Sequence, residues 1–288
     1  MKKLLILAAA LAFATTATAQ TLATESSADE VIRYWDNSTA PHSNCDSKAE
    51  KIVSSSGKYK VSHTTETVFY IFKPQKATGH SLVIFPGGGY KTVNLNFDWA
   101  KWLAAQGITT MVVKYRLPNG HAEVPLEDAA AAIEYMRDNS DRLGIDPQKV
   151  GVSGSSAGGH LAAWSSVVLK GNQKPNFAVL HYPVISGHIW TNNPQWSTFE
   201  ELLGKWRTPE QIDNHSVELL VDGNTPPTLI LHCHDDLLAP TINSTLYYKA
   251  LKHHGVKASY HIYPSGGHSW KDYKTEWLEA TKEWVLSF

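Results

Sequence analysis

The chain has 288 residues, with 26 Lys and Arg against 27 Asp and Glu. A formal net charge of −1 without any polybasic run excludes the electrostatic footprint of a nucleic-acid or anionic-membrane binder. Two cysteines are too few for a disulfide-dependent scaffold; Cys45 and Cys233 leave open a single bridge or two buried thiols. In chain order, Lys2-Lys3, the apolar run Leu4 to Phe13 and Ala17-Thr18-Ala19 have the pattern of a secretory signal over residues 1–19. That run is too short to span a bilayer. The expectation is an exported protein, periplasmic or secreted, with no membrane anchor after processing. No linker, repeat or low-complexity run divides residues 20–288, which read as one domain.

Thr21 to Lys60 is polar and weakly patterned, with Val31-Ile32-Arg33-Tyr34-Trp35 as its strand-like piece, and is expected along an edge of the domain. Thr67 to Phe72 is rich in β-branched and aromatic residues and is ended by Pro74, so it reads as a strand. Ser81 to Phe85 is a short, continuous apolar run that leads straight into Pro86-Gly87-Gly88-Gly89-Tyr90. A helix from Asp98 to Gln106 is closed by Gly107, and Ile108 to Lys114 makes another buried strand. After a helix from Leu126 to Arg137 come the strand Lys149 to Ser153, the turn Gly154-Ser155-Ser156-Ala157-Gly158 and an Ala-rich helix to Leu169. Strands follow at Phe177 to His181, Thr228 to His232 and Ser259 to Tyr263, with helices from Thr241 to His253 and Trp270 to Leu286. Alternating strands and helices, with several strands apolar throughout, imply an α/β fold with a mostly parallel central sheet covered on both faces. Catalytic groups in such sheets sit on loops at the carboxyl ends of the strands.

Gly154-Ser155-Ser156-Ala157-Gly158 lies between strand and helix, the context of a nucleophile elbow, and makes Ser156 the candidate nucleophile. A serine hydroxyl needs a base within hydrogen-bond reach and a carboxylate to orient that base. The loop after the strand ending at His232 offers Asp235 and Asp236, and Pro264-Ser265-Gly266-Gly267-His268 offers the base. The order Ser, Asp, His matches one known arrangement of the triad along a chain. The glycine run after Phe85 suits an oxyanion hole, with the N–H of Ala157 as a further donor. It is no phosphate cradle, because neither Gly-x-Gly-x-x-Gly nor Gly-Lys-Ser/Thr follows the strand.

Together these stretches resemble the secreted bacterial α/β-hydrolases of the acetylxylan esterase and carbohydrate esterase type, with feruloyl-esterase-like and hormone-sensitive-lipase-like relatives. The resemblance rests on Pro86 to Tyr90, Lys114-Tyr115-Arg116-Leu117, Asp128-Ala129, Gly154 to Leu161, Tyr182-Pro183-Val184-Ile185, Thr225-Pro226-Pro227, His232 to Pro240 and Tyr263 to His268, and reaches back to Ala40-Pro41-His42-Ser43-Asn44. It implies Ser156 as nucleophile, His268 as general base, and Gly88, Gly89 and Ala157 as oxyanion donors. The family's acid stands before a Val-Pro pair, here Ala239-Pro240, at a spacing that selects Asp236 over Asp235. Lipase relatives carry His where this chain has Pro86; the hole stays intact, because its donors are backbone groups, but the resemblance then implies nothing about lipid-like substrates.

The resemblance further implies an insertion over the active site, and between Val184 and Pro227 the regular alternation indeed stops. Trp190, Trp196 and Trp206 in that stretch, with Tyr90, are the expected sugar-binding surface. The implied reaction is removal of acetyl groups from plant polysaccharide or oligosaccharide, with no metal and no cofactor. Alternatives are a feruloyl esterase, a peptidase like the prolyl oligopeptidase catalytic domain, and a noncatalytic carbohydrate-binding relative. His160 is expected to pack, Asp128 to tie its helix to the elbow loop or to cap a dipole, and His232 with His234 to form no metal site.

Overall fold

The structure, a computed structural model, describes residues 28–55, 57–189 and 198–288. The expected signal, Trp190 and Trp196 lie outside the described residues. The strands are β1 (Glu30–Asp36), β2 (Lys51–Ser55), β3 (Lys58–Ser62), β4 (Glu66–Phe72), β5 (Gly79–Phe85) and β6 (Val93–Leu95). They continue as β7 (Thr109–Lys114), β8 (Ile145–Ser155), β9 (Ala178–His181), β10 (Thr228–Cys233) and β11 (Ala258–Tyr263). The described helices are α1 (Asp98–Ala105), α2 (Glu123–Asp138), α3 (Ser140–Leu143) and α4 (Ala157–Val168), then α5 (Thr198–Leu203), α6 (Pro209–Asp213), α7 (Ile242–His253) and α8 (Lys274–Leu286).

An eight-stranded sheet runs in the order β1-β4-β7-β5-β8-β9-β10-β11. Strands β7 through β11 of that order are parallel, while β4 and β1 pair antiparallel at one edge. The period-2 alternation of side chains divides the apolar residues between the two faces. Leu82, Val179, Leu229 and Leu231 pack with Trp99 and Leu103 of α1 and Trp277 and Val285 of α8. Val83, Leu180 and Ile230 point the other way, into a cluster with Ile133 of α2, Leu161 of α4 and Leu251 of α7. A one-residue slip would exchange both sets, so the register is tightly specified. Full burial of each such side chain contributes about 1.5–3 kcal/mol.

Three features depart from the sequence expectations. Residues 51–62 form the hairpin β2-β3, which joins β6 in a separate three-stranded antiparallel sheet. Its largely exposed, Lys- and Ser-rich strands carry too little apolar patterning to be read as β structure. Helix α2 starts three residues earlier than expected, because Pro125 falls in the first turn, where its missing N–H costs nothing. The closing helix begins at Lys274, preceded by a short 3₁₀ turn over Lys271–Tyr273.

Candidate active site

β8 ends at Ser155 and α4 begins at Ala157, so Ser156 alone makes the turn, at φ +55° and ψ −121°. Such a backbone costs a non-glycine residue on the order of 1–3 kcal/mol and persists only where the surroundings over-determine it. They do: the Ser156 N–H donates to His181 O at 3.1 Å, and its carbonyl accepts from the N–H of His160 at 3.0 Å and of Val184 at 3.1 Å. A Cβ at Gly154 would lie 2.0 Å from Gly158 O, and one at Gly158 would lie 2.0 Å from Phe85 O. Close approach of strand, turn and helix therefore requires glycine on both sides of the serine.

His268 comes from the loop after β11 and Asp236 from the loop after β10. His268 Nε2 lies 2.8 Å from Ser156 Oγ, and His268 Nδ1 lies 2.7 Å from Asp236 Oδ2. An ionised carboxylate can only accept, so Nδ1 carries the proton and the Nε2 lone pair faces the serine hydroxyl. Burial pushes the Asp236 carboxyl up, but hydrogen bonds from His232 and His268, with the backbone N–H of Ala239, outweigh it and hold the group well below the usual carboxylate range. Asp236 Oδ1 accepts from the N–H groups of Leu238 and Ala239 at 2.9 and 3.0 Å.

Two neighbours of this relay, His232 and Asp235, have roles that the sequence did not show. His232, fully buried, places Nε2 3.1 Å from Asp236 Oδ2 and 2.8 Å from Ala239 O, and Nδ1 2.7 Å from Ser244 Oγ. Two acceptors at Nε2 fix the proton there, so His232 donates to the same carboxylate as His268. His234, by contrast, is exposed, and among the described residues no three metal-ligating side chains converge. Asp235 is exposed and accepts from the N–H of Gly266 at 3.3 Å and of Gly267 at 2.8 Å. It thus fastens the two left-handed glycines that carry His268.

The loop after β5 brings the backbone of Gly88 and Gly89 beside the elbow. Gly88 has φ +141°, and a Cβ there would lie 2.0 Å from Thr92 O. Among the described residues, the N–H groups of Gly88, Gly89 and Ala157 are not committed to any acceptor. Tyr115 OH donates to Pro86 O at 2.8 Å and supports this loop from below. Tyr90 is no substrate platform: it is buried, and its hydroxyl donates to His160 Nδ1 at 2.9 Å. His160 Nε2 donates in turn to His215 O at 2.8 Å. Burial pushes the His160 imidazole down to about 4, so it holds the loop as a neutral group.

A cleft of about 600 Å³ opens over Ser156 and His268. Its walls include Lys58, Tyr59 and Lys60 from β3, Asn94 within β6 and Asn96 just after it, and Trp270 beyond His268. The small second sheet thus forms one wall, and no described residue between Val184 and Pro227 lines the cleft. Trp206 is 87% exposed, with the Lys205 ammonium 5.1 Å from its ring, and stands away from the cleft. Asp128 does not reach the elbow loop. It is buried against Arg116, at 2.8 Å, and Trp35 Nε1, at 2.6 Å, and ties α2 to β1 and to the loop after β7. Both cysteines are free thiols: Cys45 is exposed, and buried Cys233 donates to Ser269 O at 3.3 Å.

A family model described as alpha/beta hydrolase fold matches residues 82–272. The chain is 35% identical over 228 residues to an acetylxylan esterase of Xylanibacter ruminicola, covering 75% of this chain and 47% of the relative. It is 29% identical over 207 residues to endo-1,4-beta-xylanase B of Butyrivibrio fibrisolvens, covering 65% of this chain and 32% of the relative. It therefore spans about half the length, or less, of these curated relatives. Among solved structures, the acetyl ester-xyloside bifunctional hydrolase of Caldicellulosiruptor lactoaceticus superposes with a TM-score of 0.72 at 30% identity, over 90% of this chain and 96% of that one.

Proposed function

The chain belongs to the alpha/beta hydrolase family, and on that premise we propose that it is an exported serine carboxylesterase that removes acetyl groups from a plant polysaccharide such as xylan, or from its oligosaccharides. The observation that carries the reading is the relay Ser156–His268–Asp236, at 2.8 and 2.7 Å, beside three uncommitted backbone N–H groups. Support for the substrate comes from the likeness to an acetylxylan esterase and to an acetyl ester-xyloside hydrolase.

In this mechanism Ser156 Oγ attacks the ester carbonyl carbon while its proton passes to His268 Nε2. Charge developing on the carbonyl oxygen is met by the N–H groups of Gly88, Gly89 and Ala157, which need no reorganisation because strand and helix already hold them. Asp236 stays ionised and stabilises the imidazolium. Collapse expels the sugar alcohol, which takes the proton from His268, and leaves an acetyl ester on Ser156. Water then repeats the sequence, with His268 again as base. Tyr59 and Trp270, from separate segments of the cleft wall, form a surface on which a sugar ring would lie.

The test is acetate release from acetylated xylan by the mature chain and by Ser156→Ala. Release by the first and loss in the second supports both reaction and nucleophile. Cleavage of an aryl acetate without release from xylan would sink the polysaccharide assignment, and inertness toward every ester would sink the esterase.

A further inference from the structure

A second, smaller chamber of about 80 Å³ lies under the cleft, between β5, β8 and β9 on one side and α1 on the other. It shares Asn94, Asn96, Ser155, Tyr182 and Trp270 with the cleft, so the two adjoin. Three side chains of its lining carry a polar atom with no hydrogen-bond partner: Ser153 Oγ, His181 Nε2 and Trp99 Nε1. All three residues are more than nine-tenths buried. Orphaned polar atoms in such number are rare in folded proteins, because each loses its hydration without recompense. Gathered in one chamber, they define a site for something that both donates and accepts hydrogen bonds.

The chemistry of the occupant follows from the lining. No Asp, Glu, Lys or Arg faces the chamber, so nothing there compensates a charge. Burial pushes His181 down to about 3, so its ring stays neutral and offers one donor and one acceptor. The volume suits a few water molecules or a short diol. Position decides the role. The Tyr182 ring, shared by chamber and cleft, lies 4.5 Å from that of His268, and Trp270 follows His268 by two residues. The chamber therefore borders the cleft on the side where Tyr182 and Trp270 flank His268, the group to which the molecule that attacks the acyl-enzyme must give up its proton.

We propose that this chamber is the acceptor subsite for small neutral hydroxyl compounds, and that the protein transfers acyl groups to short diols as well as to water. The inference rests on the esterase reading above. In the transfer step the acceptor oxygen bonds to the acyl carbon as the bond to Ser156 Oγ breaks. The acceptor's proton moves to His268 Nε2 and from there to Ser156 Oγ, giving a new ester and the free enzyme. Water held in the chamber gives the acid by the same path.

The experiment is turnover of an aryl acetate in increasing ethylene glycol, with n-butanol in parallel, measuring aryl alcohol, acetate and the new acetate ester. Glycol monoacetate is expected to rise to a plateau, while butyl acetate rises only in proportion to butanol. Ser153→Ala and Trp99→Phe should each lower the glycol share of products about fivefold to tenfold, as expected for one lost hydrogen bond. The share is a ratio of products from the same folded molecules, so a variant that folds poorly still reports it. A share linear in glycol and equal in wild type and both variants would overturn the subsite, as would a plateau with butanol matching that with glycol. Aryl alcohol matched by acetate alone at every glycol concentration, with no monoacetate formed, would overturn the transfer. Absence of aryl alcohol from every ester would overturn the esterase reading and this inference with it.

Discussion

His232 and His268 converge on one oxygen atom: His232 Nε2 lies 3.1 Å and His268 Nδ1 2.7 Å from Asp236 Oδ2. The acid of the relay is thus oriented from behind by a second, fully buried imidazole that never approaches Ser156. Replacing His232 by Phe should lower kcat about tenfold or more with little change in KM, because a buried donor to a charged group is lost while the cleft walls stay in place. Gln, whose amide N–H can take the place of Nε2–H, should restore part of it. Equal damage from Gln and Phe, or a loss confined to KM, would show that His232 only fills space.

Asp235 offers a separable test of how His268 is carried. Its carboxylate accepts from Gly266 and Gly267, both in the left-handed region, so removing it frees the loop to explore other conformations. Asp235→Ala is expected to cut kcat roughly tenfold, and Asp235→Asn, which keeps one acceptor, to cut it less. The rate of serine phosphonylation by an organophosphonate gives an independent readout. Unchanged rates in both variants would remove Asp235 from the machinery.

The cleft wall predicts a split between substrates. Tyr59→Ala and Trp270→Ala should raise KM for an acetylated oligosaccharide by about tenfold while changing KM for a small aryl acetate far less, since on the proposed reading a sugar ring would lie against the aromatic faces. Trp206→Ala should leave both parameters as they are, because its ring stands in solvent. An effect of Trp206 equal to that of Trp270 would contradict the wall described here.

Two fully buried imidazoles contribute to the loss of stability in acid. Burial pushes His160 from 6.5 to about 4 and His181 from 6.5 to about 3. Each folded-state value lies below that of the unfolded chain, so the unfolded state binds more protons in between and stability falls as pH falls through that interval. The loss begins near pH 6.5, reaches about 1.4 kcal/mol per pH unit for each imidazole, and ends near 4 for His160 and near 3 for His181. Urea midpoints measured between pH 7 and pH 4 should decline accordingly, and more shallowly in His160→Gln. A flat profile in the wild type would refute this.

Thiol titration checks the cysteines. Cys45 is exposed and should react in the native protein, whereas Cys233 is buried and burial pushes its thiol up to about 11, so it should react only after unfolding. One fast thiol in buffer and two in denaturant is the expected result; none in denaturant would mean a bridge.

The sequence by itself determined what depends on local pattern. The alternation of apolar strands and helices marks the parallel sheet. The glycines around Ser156 mark the elbow, because no other residue fits where strand and helix touch. The loops holding Asp236 and His268 are legible because they follow recognisable strands. Tertiary structure decided what depends on distant partners. Nothing near His232 in sequence shows that its ring turns toward Asp236, since the strand period gives a face and not a hydrogen bond. Tyr90 reads as an exposed aromatic beside a glycine loop, yet His160, seventy residues later, draws its hydroxyl into the core. Trp206 falls in the stretch expected to meet a sugar, whereas Trp270 reads only as the start of the closing helix. The fold places the first in solvent and the second in the cleft, one wall of which is the polar hairpin β2-β3, with exposed strands that carry almost no apolar signal of their own.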